Sequence, residues 1–279
     1  MTANLRIACV IACHNRRETT LRCLASLRVA GFTWGGGRRV YLCDDGSTDG
    51  TAAAVRERFP HVVIVPGSGS LYWGGGTRAA MRVAADWDPN WWWLINDDTV
   101  LEPGALGRML EAGSSSTKPC IVVGSCADSA SGRIVYGGRV SKSRLFPLRV
   151  RSLIANAAMT QCDFANGNCL LIHRDVVAAT GGVDPVFRHG FGDWDLTFRA
   201  RKMGFPLLVS PGIAATCGAN PMPDAWPDRR LPRRERLRRI MSVKGFPPYE
   251  WLVFCARHCG PFFWATWAWT YLRILVGRR

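Results

Sequence analysis

The chain of 279 residues carries no internal repeat and no low-complexity tract, which excludes solenoid and fibrous architectures. Its 11 cysteines lack order of a useful kind. The nearest pairs, Cys9/Cys13 and Cys255/Cys259, have neither zinc-site nor redox spacing, and the odd total argues against a disulfide framework. Thiols in apolar runs, such as Cys9, Cys43 and Cys169, read as core residues, and so many unpaired cysteines point to a reduced, cytoplasmic compartment. No charged segment followed by an apolar signal stretch precedes the first strand pattern, Leu5–Ala12. A membrane-spanning run is missing too: uncharged Cys259–Leu272 is short, has Pro261 near its start and is closed by Arg273. Acidic residues are scarce, 21 against 36 Lys and Arg, for a net charge of +15.

What is present is enough apolar residue, 48%, for a sizeable core. The first part alternates strand and helix patterns. Strands are expected at Leu5–Ala12, Val40–Cys43, Val62–Val65 and Trp91–Ile95. Helices are expected around Leu21, Leu24 and Leu27, over Thr51–Phe59, over Thr77–Ala85 after a Gly-rich loop at Gly67–Gly76, and after Pro103. This alternation predicts an α/β domain with a Rossmann-like, mostly parallel sheet and helices on both faces. Beyond about residue 115 the pattern loosens. Short strands are expected at Cys120–Val123 and Asn168–Ile172, and helices at Asp175–Ala179 and Asp193–Met203.

Three polar clusters follow apolar strands: His14-Asn15-Arg16, Asp44-Asp45-Gly46-Ser47 and Asn96-Asp97-Asp98. Ligands of open α/β sheets bind beyond the carboxyl ends of strands, so the three would converge on one edge. Alone, each is also ordinary turn or cap chemistry. Paired carboxylates in such a place suit Mg²⁺ or Mn²⁺, which take oxygen ligands and share them with substrate phosphates. Downstream, Gly192-Asp193-Trp194-Asp195 opens a helix whose N-terminus favours an anionic carboxylate, as a cap or as a base. Trp73, in Gly69–Gly76, reads either as a stacking platform for a sugar or base or as a core aromatic. His189 reads as a further metal ligand or as a structural histidine. Trp91-Trp92-Trp93 reads as buried strand filler.

Four stretches together resemble the inverting glycosyltransferase family 2 with its GT-A fold. They are ACHNRRETTLRCLASL at Ala12–Leu27, CDDGSTDGT at Cys43–Thr51, NDDTVL at Asn96–Leu101 and GGVDPVFRHGFGDWDLTFRARKMG at Gly181–Gly204. They occur in family order and spacing and span most of Leu5–Thr216. The resemblance implies a metal-dependent transfer of a sugar from a UDP- or dTDP-sugar to a hydroxyl of a glycan or lipid-linked acceptor. The Gly69–Gly76 stretch resembles a subgroup linked to bacterial surface polysaccharides. Ala12, Asn15, Asp45, Gly75 and Asp97 fall at nucleotide-binding positions, with Asp44 beside them. Asp98 falls at the metal ligand of the DXD-type element and Asp193 at the catalytic base. Asn166-Gly167-Asn168 falls where the family lines the donor sugar or acceptor. Leu196 and Arg199 keep the offsets expected after the base. The glutamate that precedes the base in the family is Gly192 here, which makes Asp195 the alternative base. His14 stands for a common tyrosine and Ala12 for a common proline.

The expected organisation is a GT-A domain over 1–225, with a nucleotide-binding half at 1–115 and an acceptor half at 116–225, then a basic, Trp-rich helical appendage at 226–279. That last region holds 12 Lys/Arg against 3 Asp/Glu, a net +9. Its arginines and its tryptophans Trp251, Trp264, Trp267 and Trp269 suit an anionic membrane surface, peripheral on the inner face of the plasma membrane. A pair of helices packed on the core with an arginine-rich outer face is the alternative. Nucleic acid is not expected, since no recognised binding module is present. Two other functions stay open: a nucleotidyltransferase, against which the missing Gly-rich pyrophosphorylase signature counts, and a non-catalytic membrane-bound scaffold.

Overall fold

The apolar runs of the N-terminal half become the strands of a central sheet. β1 (Ile7–Cys13) leads to α1 (Arg17–Val29), β2 (Arg38–Asp44), α2 (Thr51–Arg58), β3 (Val62–Pro66), α3 (Tyr72–Ala85) and β4 (Trp91–Ile95). The computed structural model describes residues 5–143, 147–153, 158–218 and 227–276. β3, β2, β1 and β4 lie side by side, all parallel. Every residue of β4 is buried, its three tryptophans included, because helices cover both faces.

The looser second half completes the sheet with elements the sequence pattern left partly unread. β5 (Thr99–Leu101), α4 (Ala105–Ser114), β6 (Ile121–Asp128), β7 (Ile134–Tyr136), β8 (Gly138–Ser141), β9 (Val150–Ser152), β10 (Thr160–Gln161), β11 (Phe164–Ala165) and β12 (Cys169–His173) come first. They are followed by α5 (Arg174–Thr180), α6 (Gly192–Lys202) and β13 (Leu207–Cys217). The strand order is β10-β13-β6-β12-β4-β1-β2-β3, with β12 antiparallel to both its neighbours and β5 and β7 added at β13 and β6. β11, β8 and β9 form a separate three-stranded sheet. Strands of two to four residues give no periodicity to read, which is why most of these were not expected.

One expectation is corrected. The Gly-rich stretch is a helix from Tyr72 onward, so the glycines belong to the first turns of α3. Tertiary packing overrides their low helix propensity. A β-carbon on Gly74 would lie 2.2 Å from the Phe187 carbonyl oxygen, and one on Gly76 would lie 2.9 Å from the Ala12 β-carbon. Only a side-chain-free helix fits this close to β1 and to the loop before α6.

The apolar stretch after residue 248 is two helices, α8 (Pro248–His258) and α9 (Phe263–Val276), preceded by α7 (Arg233–Ile240). Trp251, Phe254, Cys255 and Cys259 share a buried cluster with Phe164, Phe187 and Phe198. α9 is fastened to α8 by Trp251 Nε1 donating to Thr270 Oγ1 at 3.0 Å, and to the segment just before α8 by Tyr271 donating to the Phe246 carbonyl at 2.8 Å. Among the described residues no helix is long and apolar enough to cross a membrane. The expected domain boundary at 225/226 lies outside the described residues. All 11 cysteines are buried thiols.

Candidate active site

Parallel pairing of β2, β1 and β4 puts their carboxyl ends on one edge, and each end carries one of the polar clusters. Beyond β1, Asn15 takes a left-handed φ of 51°. Its amide donates to Ser47 Oγ at 2.9 Å, and its side-chain oxygen accepts from the Thr48 amide at 2.7 Å. The β1 and β2 turns are thereby tied together. His14 Nδ1 lies 2.6 Å from the Asp45 carbonyl oxygen. Asp44, buried, accepts the Ser47 amide at 3.1 Å.

Asp45 is also buried, and it holds the entrance to α3. One carboxylate oxygen accepts the Gly69 amide at 2.7 Å and the other the Tyr72 amide at 2.9 Å. Ala12 faces Gly76 at the end of β1. Gly75 is buried in the first turns of α3, with its amide donated to the Leu71 carbonyl at 3.1 Å.

Beyond β4, Asp97 and Asp98 are gripped by one guanidinium. Arg16 Nη1 donates to Asp97 Oδ1 at 2.8 Å and to Asp98 Oδ2 at 3.2 Å. Burial pushes the Asp97 carboxyl up to about 6, despite the charge of Arg16 and with a further push from Asp98. Asp97 Oδ2 is buried with no hydrogen-bond partner. An orphaned carboxylate oxygen in an adjacent pair fits a hard divalent cation, which would complete its shell with phosphate and water. Among the described residues no group of three His, Cys, Asp or Glu side chains is arranged to hold a metal.

Trp73 joins this cluster to Asp193. Its indole N–H donates to Asn96 Oδ1 at 2.8 Å. Its ring leaves no room for a side chain at Gly167, where a β-carbon would lie 2.7 Å from Trp73 and 3.0 Å from the Asp193 β-carbon. Asp193 Oδ2 accepts the Gly167 amide at 2.7 Å and Oδ1 the Trp194 amide at 2.8 Å. Burial raises the Asp193 carboxyl above its ordinary range, while these backbone donors and Arg139 pull it back. Arg139 itself bonds Asn166 at 3.1 Å and lies over the Trp194 ring. His189, with Nδ1 buried and unpartnered, meets the Tyr72 ring edge-on at 6.1 Å.

Asp45, Asp97, Asp98 and Asp193 are thus brought together through the first turn of α3. Asp195 is elsewhere. It is fully buried, and its oxygens are taken by Arg199 at 2.6 Å, Arg257 at 3.1 Å and His258 at 2.9 Å, so it ties α6 to α8. Arg139 was not among the expected site residues, and neither was Glu250. Glu250 is buried on α8 and holds Arg188 at 2.7 Å, next to the Arg188 carbonyl that receives the Gly74 amide at 2.7 Å. No local pattern marks either residue, since their partners are 27 and 62 positions away.

A mostly parallel sheet with this carboxylate-rich edge defines the GT-A class of fold. The chain belongs to the family described as glycosyltransferase like family 2, which matches residues 4–241. It is 26% identical over 196 residues to an N-acetylglucosaminyl-diphospho-decaprenol L-rhamnosyltransferase of Mycobacterium tuberculosis, found in two strains. That alignment covers 62% of this chain and 64% of the relative, so the chain spans somewhat less than two thirds of it. A mannosyltransferase from Pyrobaculum calidifontis, solved with GDP-Man and Mn²⁺, superposes with a TM-score of 0.60 at 16% identity. The superposition covers 98% of this chain and 74% of that one, and it shares the fold.

Proposed function

We propose that the protein transfers a sugar, by inversion, from a nucleotide-diphosphate donor to a hydroxyl of a glycan or lipid-linked acceptor, in the synthesis of a bacterial surface polysaccharide. The observation that carries this reading is that the first turn of α3 links three sets of carboxylates: Tyr72 is bonded to Asp45, and Trp73 is bonded to Asn96, beside Asp97 and Asp98, and lies next to the Gly167–Asp193 contact. A UDP- or dTDP-sugar would lie along the β2–β1–β4 edge, its base against Ala12, Asn15, Asp45 and the Gly75 turn, with Asp44 supporting them. Asp97 and Asp98 would hold Mg²⁺ or Mn²⁺, which when bound supplies charge neutralisation for the departing diphosphate. Asp193 takes the proton of the acceptor hydroxyl. The acceptor oxygen bonds to the anomeric carbon as the bond from that carbon to the diphosphate breaks, in one displacement. A raised carboxyl suits a base that must accept a proton near neutrality. Trp73 walls the sugar site, His189 lies beside it, and Asp195 positions α6 from below.

Residues 1–115 would form the nucleotide half, 116–225 the acceptor half and 226–279 a membrane-facing region. α9 presents Trp264, Trp269, Leu272, Leu275 and Val276 outward, all exposed, beside the arginine-rich α7 that lies against it. This face supports a peripheral position on the inner side of the plasma membrane, where a lipid-linked acceptor would be met. The relative from Mycobacterium tuberculosis is named for such an acceptor.

The test is donor turnover. Wild-type protein with Mn²⁺ and a panel of nucleotide sugars should release nucleoside diphosphate slowly even without acceptor. Asp98→Ala should lose this release by at least about 100-fold, the order expected when charge stabilisation of a leaving group is removed. A protein that binds no nucleoside diphosphate, with or without metal, would reject the reading.

A further inference from the structure

Arg16 holds one oxygen of each carboxylate in the Asp97–Asp98 pair and places a positive charge beside the Asp97 Oδ2 that a cation would use. The same nitrogen contacts Asp97 Oδ1 and Asp98 Oδ2. Two adjacent carboxylates with side chains only 7% and 10% exposed need a counter-charge, and here the chain supplies one of its own. The Arg16 side chain is 39% exposed, so part of it faces solvent while its Nη1 meets the buried pair. Its backbone is fixed: the Arg16 carbonyl receives the Thr20 amide at 2.8 Å at the start of α1. On one side Asn15 is bound to Ser47, and on the other the Arg17 amide donates to Asp49 at 2.9 Å. The side chain is therefore the movable part, on a stem clamped to the β2 turn.

We propose that Arg16 is a resident counter-cation that competes with the metal for the Asp97–Asp98 pair, making metal entry depend on the arrival of a diphosphate. A divalent ion and a guanidinium repel each other strongly at ligand distance, so they do not share the pair without an anion between them. A diphosphate offers that anion, and guanidinium binds it in fork geometry. Arg16 then moves from carboxylate to phosphate, and both carboxylates turn to the metal. The donor's diphosphate and the ion load together, and the free protein holds little metal. This inference rests on the metal-dependent reading above and adds an order of assembly to it.

The experiment is Mn²⁺ binding, followed by loss of the free-ion paramagnetic resonance signal, with and without UDP, in wild type, Arg16→Gln and Arg16→Lys. No turnover is involved. The wild type should bind Mn²⁺ at least about 10-fold more tightly when UDP is present. Arg16→Gln should bind Mn²⁺ alone at least about 10-fold more tightly than wild type and show little further gain from UDP. Arg16→Lys, which keeps the charge, should behave as the wild type does in the absence of UDP. Equal Mn²⁺ affinity of wild type and Arg16→Gln without UDP would overturn the competition. So would weaker binding by a variant whose circular dichroism and melting match the wild type. Failure of every protein to bind Mn²⁺ even with UDP would instead sink the metal reading itself.

Discussion

Asp193 shows how much an individual side chain owes to its surroundings. Its two oxygens are held by the amides of Gly167 and Trp194, while burial lifts its carboxyl above the ordinary range. A base has to be ionised before it can accept a proton, and so do carboxylates meant for a cation. Folding raises both Asp193 and Asp97, the latter to about 6, so in their proposed roles they would lose their charge, and the site its activity, at a higher pH than free carboxylates would. kcat/KM for sugar transfer should therefore fall as pH drops, with a midpoint above about 4, the usual carboxylate value. A pH–rate profile checks this. An acid limb at or below that value would show that neither group governs the rate. Asp193→Asn should lose at least about 100-fold in kcat at every pH while still binding the donor.

At the scale of the element, α3 is the part whose sequence and structure disagree most. Three successive glycines inside a helix are unfavourable by propensity, yet the close approach of α3 to β1 and to the loop at Phe187–Arg188 requires them. Gly74→Ala should therefore destabilise by about 1–3 kcal/mol through overpacking. The added carbon meets backbone oxygens at 2.2 Å and 2.9 Å, which cannot be avoided by rotating a side chain. Gly107 is the control: it is exposed in α4 and a β-carbon there meets nothing within 4 Å. Gly107→Ala should stabilise by up to about 1 kcal/mol from helix propensity. Thermal melts of the two variants should move in opposite directions. A stabilised Gly74→Ala would show that α3 has slack which the packing denies.

For the whole molecule, the question is what covers α9. A helix that is apolar on its inward side normally turns charge to water, yet here the outward side holds Trp264, Trp269, Leu272, Leu275 and Val276. The inward side is already occupied, by Thr270 and Ile274 in the buried layer and by Trp267 donating to the Pro248 carbonyl at 2.9 Å. The apolar face is thus surplus to folding and lies beside the arginines of α7. Basic residues near an anionic bilayer each contribute about 1 kcal/mol, and interfacial aromatics add to this. The protein should float with vesicles containing phosphatidylglycerol and stay behind with neutral ones. The double variant Trp264→Glu, Leu272→Glu should lose at least about 10-fold in vesicle affinity without a change in melting temperature. A concentration-dependent dimer with no vesicle binding would mean that a second copy covers the face instead.

The amino-acid sequence by itself determined the sheet's first half and the identity of its polar edge. Apolar runs such as Ile7–Cys13 and Trp91–Ile95 carry their own burial pattern, and the carboxylates follow them directly in the chain. Periodicity and turn chemistry are local, so they can be read locally. What only the tertiary structure decided is everything that depends on partners far apart: Arg16 on Asp97 and Asp98 across 81 and 82 positions, Arg78 on the Phe187 carbonyl across 109, and Asp195 buried between α6 and α8. The very short strands β7 to β11 belong to that class as well, since pairing and not composition makes them strands. Asp193 and Asp195 look interchangeable as letters two apart on one helix. Helical geometry turns one toward Gly167 and Trp73 and the other between Arg199 and Arg257, and that rotation alone gives two carboxylates two residues apart entirely different surroundings.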